Sequence, residues 1–170
     1  MIDDETQTYW DHITGAAVHG PLVGESMESW PVRHTTVAVA QERDPRLLVA
    51  RIDRGGLVNR AFSLLHRKAI GSGGFLPPPF RLTMGERDKR LPTMEQGLGV
   101  VVDGDACFVP TRGLRAGPRR LTMGGRALAV ELGPDQVPEA RWVDDGARPM
   151  QLFTRWYGFS FTYPGCAIEG

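Results

Sequence analysis

Short apolar runs broken by turn residues set the pattern of this chain. In the first third these are Thr8-Tyr9-Trp10, Ala16-Ala17-Val18 and Pro21-Leu22-Val23. Runs this short, with Gly, Pro and Asp between them, read as a β-meander. The opening IDDETQT reads as a turn between two strands, because Asp and Thr side chains bond the nearby backbone. The second half repeats the theme more strongly. LGVVVDGDACFVP (98–110) sets two apolar runs around Asp103-Gly104, the strongest short hairpin signal. RRLTMGGRALAVEL (119–132) does the same around Gly124-Gly125. A third hairpin is expected where Arg141-Trp142-Val143 and Met150 to Arg155 flank Asp144-Asp145-Gly146. Successive hairpins predict an antiparallel sheet that is curled or barrel-like.

Helical periodicity is clear in one stretch. Over Asn59 to Ile70, residues Ala61, Leu64, Leu65 and Lys68 share a face, and Gly71 stands where a C-terminal cap belongs. Two further stretches fit both templates. HTTVAVAQERD (34–44) alternates as a strand does, yet Thr36 could cap a short helix ending before Pro45. In RWYGFSFTYPG (155–165), Tyr157, Phe159, Phe161 and Tyr163 alternate, while Trp156, Phe159 and Tyr163 also fall on one helical face. Between these lies GSGGFLPPPF (71–80), whose three successive prolines exclude a helix or central strand and predict an exposed connection or flap.

Composition adds bounds more than leads. The 170 residues make one domain, 1–170, large enough to fold without a metal or disulfide staple. With 21 Gly and 13 Pro, turns and short strands are favoured over long helices. The 20 basic and 20 acidic residues cancel, which removes the surplus that phosphate-backbone recognition needs, so no nucleic-acid partner is expected. Among the basic residues only Lys68 and Lys89 are lysines. That bias suits bidentate anion recognition, though a high-GC coding bias is the simpler account. No apolar run approaches a membrane span, and MIDDETQTYW lacks the regions of a signal peptide, so no membrane partner and a cytoplasmic location are expected.

Candidate chemistry is sparse. Cys107 and Cys166 lie far apart, outside any zinc-ligand spacing; two buried free thiols are expected, with one long-range disulfide the alternative. There is no GxSxG, and no P-loop or dinucleotide fingerprint; Gly55-Gly56, Gly71 to Gly74 and Gly97-Leu98-Gly99 read as turns. In YWDHITGAAVHGPLVG (9–24), His12 and His19 are seven apart, which puts them on opposite faces of one strand. They converge only across a turn at Thr14-Gly15. A metal site of His12, His19 and His34 is the alternative to structural histidines, and His66 lies off the apolar face of its helix. MGERDKRLP (84–92) alternates in sign, as a solvated surface does, and Asp88 with Arg90 could form an ordered pair that anchors it.

Taken in order, TQTYWDHITGAAVHGPLVG, WPVRHTTVAVAQERDP, RDKRLPTMEQGLGVVVDGDACFVPTRGL and LFTRWYGFSFTYP resemble the later part of the bacterial and archaeal proteins called domain of unknown function 3179. The resemblance implies that the aromatic close is a short helix, and it tips HTTVAVAQERDP toward helix as well. Two departures stand out. The family's upstream C-P-x-C segment has no counterpart here, which implies a shortened member, and the close is poorer in Trp than is usual. The family being uncharacterised, the resemblance implies no activity.

The expectation is therefore an α+β chain, mainly antiparallel β, with one clear helix and one or two short helices. Its expected role is a β-rich module that binds a small molecule or protein partner, with Trp10, His12, His34, Asp88 and Arg90 as candidate ligand-binding residues and no cofactor. The alternative is an enzyme with a His-centred, metal-assisted site. An apolar N-terminal edge near residues 1–10 is the surface through which the chain would self-associate.

Overall fold

The computed structural model describes residues 1–28, 32–50 and 85–170. Trp30, the helix read over Asn59–Ile70 with His66, and the proline-rich stretch 71–80 lie outside the described residues.

The chain opens as a small meander. Strand β1 (Tyr9–Trp10) pairs antiparallel with β2 (Ala17–His19), and on its other side Ile2 bridges Tyr9. Asp3 makes the first turn: its carboxylate accepts from the Thr6 backbone N–H at 2.7 Å and from the Thr6 hydroxyl at 2.6 Å. The segment after His34 is helical, α1 (Val37–Arg43), with the Thr36 hydroxyl accepting the Val39 N–H.

Two glycine turns then form as their sequences imply. Strands β3 (Gln96–Val102) and β4 (Asp105–Pro110) close across Asp103 and Gly104, both at positive φ, 49° and 89°. A one-turn helix α2 (Thr111–Leu114) leads to β5 (Arg119–Met123) and β6 (Arg126–Leu132), joined across Gly124 and Gly125 at φ 55° and 74°. Positive φ at both central residues is what a two-residue hairpin turn of matching twist requires.

The third expected hairpin does not form. Strand β7 (Pro138–Trp142) pairs antiparallel with β6 across a turn at Gly133–Val137 that the sequence reading missed. Strand β8 (Met150–Arg155) instead crosses to β3. The Asp144-Asp145-Gly146 turn closes locally, with Gly146 N–H on Trp142 C=O at 2.9 Å, but it does not fold the chain back along β7. Helix α3 (Trp156–Thr162) follows β8 directly, and β9 (Ala167–Ile168) adds parallel to β4. The result is a four-stranded sheet, β8-β3-β4-β9, beside a three-stranded one, β5-β6-β7, and among the described residues no barrel closes.

Alternation along the central sheet divides the core in two. Leu98, Val100, Cys107 and Val109 face the outer sheet and pack on Met123, Leu128, Val130, Ala140 and Trp142. Val101 and Phe108 face the opposite way, onto Trp156, Phe159, Cys166 and Ile13 of the meander. A period of two carries each set to its own face. The two free, buried cysteines therefore belong to different cores.

Gly97 and Gly99 are not turn residues, as expected, but lie inside β3. A Cβ on Gly99 would sit 2.1 Å from the Phe159 ring, and one on Gly97 would sit 2.5 Å from the Phe108 ring. Glycine is needed there because aromatic rings lie directly on the strand backbone. Above them Phe108 meets Trp156 edge-on at 5.1 Å and Phe159 at a tilt at 5.6 Å between centroids. Helix α3 has its first N–H groups satisfied from outside: Trp156 N–H donates to Glu95 C=O at 2.8 Å and Tyr157 N–H to Thr93 C=O at 3.0 Å.

Candidate functional site

Of the residues singled out in the sequence, Asp88 and Arg90 do come together. The Arg90 guanidinium meets both Asp88 oxygens at 2.7–3.1 Å, and a further N–H donates to Cys166 C=O at 2.9 Å. It also lies 5.3 Å from the centre of the Trp156 ring, whose indole N–H donates to Asp88 C=O at 3.0 Å. The Arg90 side chain, bonded to it, holds the Asp88 carboxyl below its usual range. These contacts pin the segment before β3 onto α3 and leave the pair's hydrogen bonds committed within the protein.

Trp10 is likewise committed, its indole N–H on the Asp3 carboxylate at 3.0 Å. Neighbouring Asp11 ties the meander to the C-terminal region: it accepts from the Tyr163 hydroxyl at 2.6 Å, from Ile13 N–H at 2.9 Å and from the Thr14 hydroxyl at 2.8 Å. Burial pushes the Asp11 carboxyl up, but these hydrogen bonds outweigh it and hold the group below its usual range.

The histidines do not converge. His12 and His19 are exposed on either side of the turn between β1 and β2, and His19 lies edge-on to Tyr9 at 5.6 Å. His34 lies edge-on to Phe153 at 6.0 Å. Among the described residues no group of three or more His, Cys, Asp or Glu side chains is placed to hold a metal ion.

His34 instead opens onto a cleft that no local motif announces. It lies where the segment before α1, the Gly133–Val137 turn, and strands β7 and β8 meet. Arg33, His34, Arg43, Asp135, Glu139, Arg148, Gln151 and Phe153 line it above an apolar floor that includes Leu98 and Val137. Its enclosed volume is only about 50 Å³, set in a shallow, open concavity of about 450 Å³ of free space. Thr35 holds the segment in place by donating its hydroxyl to Asp135 at 2.7 Å, and that bond, with Val137 N–H and the Arg43 charge, holds the Asp135 carboxyl down. Glu139 sits between two arginines, Arg148 at 2.8 Å and Arg141 at 2.9 Å.

Gln151 closes the cleft from below. Its side-chain oxygen accepts Ala140 N–H at 2.8 Å, and its amide N–H₂ donates to Ala140 C=O at 2.9 Å and Pro149 C=O at 3.3 Å. The amide thus does for the edge of β7 what a neighbouring strand would do. Sequence reasoning caught His34 here and missed Arg43, Arg148, Asp135, Glu139, Gln151 and Phe153. The available signal was Gln151, a polar residue at an inward register of β8.

A second, wider cleft of about 1120 Å³, much of it open, runs past Asp105, Thr122, Thr162, Tyr163 and Glu169 and reaches both cysteines. Burial, with Glu169 nearby, pushes the Cys107 thiol up to about 12, and burial raises Cys166 as well. Neither is a ready nucleophile.

Fold and site define an α+β protein, mostly antiparallel, with two stacked sheets and an Arg- and His-lined cleft at their seam. A family model described as Protein of unknown function (DUF3179) matches residues 1–148, and the chain belongs to that family. No curated protein and no solved structure matches it. The matched region stops before β8, α3 and β9, although β8 pairs with β3 and Trp156 and Phe159 fill the second core. No helix among the described residues is long and apolar enough to cross a membrane.

Proposed function

We propose that this chain is a β-rich ligand-binding module forming a single domain, and that the ligand enters the cleft bounded by His34, Arg43, Arg148 and Phe153. One observation carries the reading: four segments distant in sequence bring an aromatic ring, an imidazole and several guanidiniums to a single concave seam. Ligand sites typically combine such an apolar floor with a few convergent polar groups. The other candidates are a poorer fit, because the Asp88–Arg90 pair and Trp10 have their hydrogen bonds committed within the fold. No hydrogen bond joins His12, His19 or His34 to another side chain among the described residues, so the geometry lends no support to a His-centred enzyme.

A fragment panel screened by ¹⁵N-resolved NMR on the full chain tests the proposal. Shift changes should concentrate at Val32–Thr35, Gly133–Glu139, Gln151 and Phe153. Binding that maps instead to the wider cleft beside Tyr163, or no binding anywhere, refutes it.

A further inference from the structure

We infer that the ligand of this cleft carries an oxyanion, a carboxylate or a phosphate, which Arg33 and Arg43 receive. This rests on the ligand-cleft reading above and adds the chemical class to it. The chain as a whole is neutral, yet four guanidiniums, those of Arg33, Arg43, Arg148 and, behind the wall, Arg141, gather around two carboxylates. Both carboxylates are already occupied. Glu139 has one oxygen at Arg148 and the other at Arg141. Asp135 accepts the Thr35 hydroxyl at 2.7 Å and faces Val137 N–H at 3.4 Å.

Arg33 and Arg43 differ from the other two. Both are exposed, and among the described residues neither side chain makes a hydrogen bond or an ion pair within 4.0 Å, although Arg43 acts on Asp135 through its charge. A guanidinium offers five donors in a planar fork that matches a carboxylate or phosphate, and a charge-assisted pair of this kind is stronger than a neutral one. The walls favour the same answer. Phe153 and His34 stand edge to face at 6.0 Å and offer ring contact beside the cations. A ligand with an acidic head therefore fits, and a cationic ligand would meet uncompensated positive charge.

The test uses the full chain with three isosteric probes, benzoate, benzamide and benzylamine, together with phenyl phosphate. Affinities are read by NMR titration in low salt. Benzoate should bind at the cleft at least about tenfold more tightly than benzamide, benzylamine should not compete, and added salt should weaken benzoate in particular. Arg43→Gln and Arg33→Gln should each lose several-fold in benzoate affinity while leaving the fold's spectrum intact. A preference for phenyl phosphate over benzoate assigns a phosphate head, and the reverse a carboxylate. Benzamide binding as tightly as benzoate at the same residues overturns the oxyanion inference and leaves the ligand cleft standing. Failure of all four probes to perturb the cleft overturns both.

Discussion

Replacing Gln151 by leucine should unfold this protein more easily than any apolar count suggests. Ala140 is fully buried, and its N–H and C=O point away from β6 at the buried edge of the outer sheet. With leucine at 151, both groups lose their partner in a place water does not reach. Each buried orphan costs about 1–3 kcal/mol, and leucine's extra apolar burial returns on the order of 1 kcal/mol. The expected net loss is about 1–5 kcal/mol, a large part of a typical stability of about 5–15 kcal/mol. For a chain of this size that corresponds to a fall in Tm of about 2–4 °C per kcal/mol. Urea unfolding at constant m-value is the appropriate assay.

A second variant separates hydrogen bonding from volume. Gln151→Glu keeps an acceptor for Ala140 N–H but, when ionised, has nothing to donate to Ala140 C=O. Burial raises the carboxyl's pKa in the folded state above its unfolded value. The neutral acid, which can donate, is then favoured by folding, so the variant's deficit should shrink as the pH falls toward the unfolded pKa. A leucine variant within about 0.5 kcal/mol of the parent, inside the usual range for neutral surface changes, would refute the reasoning. So would a glutamate variant whose deficit does not change with pH.

Gly99→Ala should cost at least about 1–3 kcal/mol, because the new Cβ meets the Phe159 ring; a thermal melt within error of the parent would contradict the packing described. Asp11 and Tyr163 should show linked behaviour. Asp11's lowered pKa means its contribution is present above the unfolded value and lost as the pH falls through the folded one, so Tyr163→Phe should shift acid unfolding to higher pH. Asp3, held at about 2 chiefly by the Thr6 hydroxyl, should titrate in that range by NMR and return toward the ordinary carboxylate value in Thr6→Ala. Cys107, pushed up to about 12, should resist iodoacetamide at pH 8 in the folded protein and react on denaturation, with no disulfide to Cys166 in non-reducing gels.

What the sequence made legible was local. Asp103-Gly104 and Gly124-Gly125 specify their turns through backbone conformations that few other residue pairs tolerate, and both hairpins form. Thr36 caps its helix through a bond three residues long. The third hairpin was misread because the Asp144-Asp145-Gly146 turn resembles the other two, while the choice between β7 and β3 as partner for β8 depends on burial. Met150 and Leu152 face one core and Gln151 and Phe153 the other, so β8 is covered on both sides only beside β3. Gly97 and Gly99 were misread for a related reason. A glycine in a turn and a glycine under an aromatic ring look alike until the ring's position is known.

The misplaced strand and the unforeseen site have one cause. Had β8 returned along β7, the edge of the outer sheet would have been paired and the two sheets would have joined into one curled surface. Because β8 crosses to β3 instead, a seam opens between the sheets, and among the described residues no strand pairs with the backbone of β7 on that side. One glutamine side chain then satisfies Ala140 in place of a whole strand, which leaves the rest of the seam free to be lined by other groups. Arginines and a histidine from remote segments fill that space, and none of them marks its purpose by spacing. The cleft is thus a consequence of topology, and a variant that weakens the Gln151 bridge should loosen the site before it unfolds the chain.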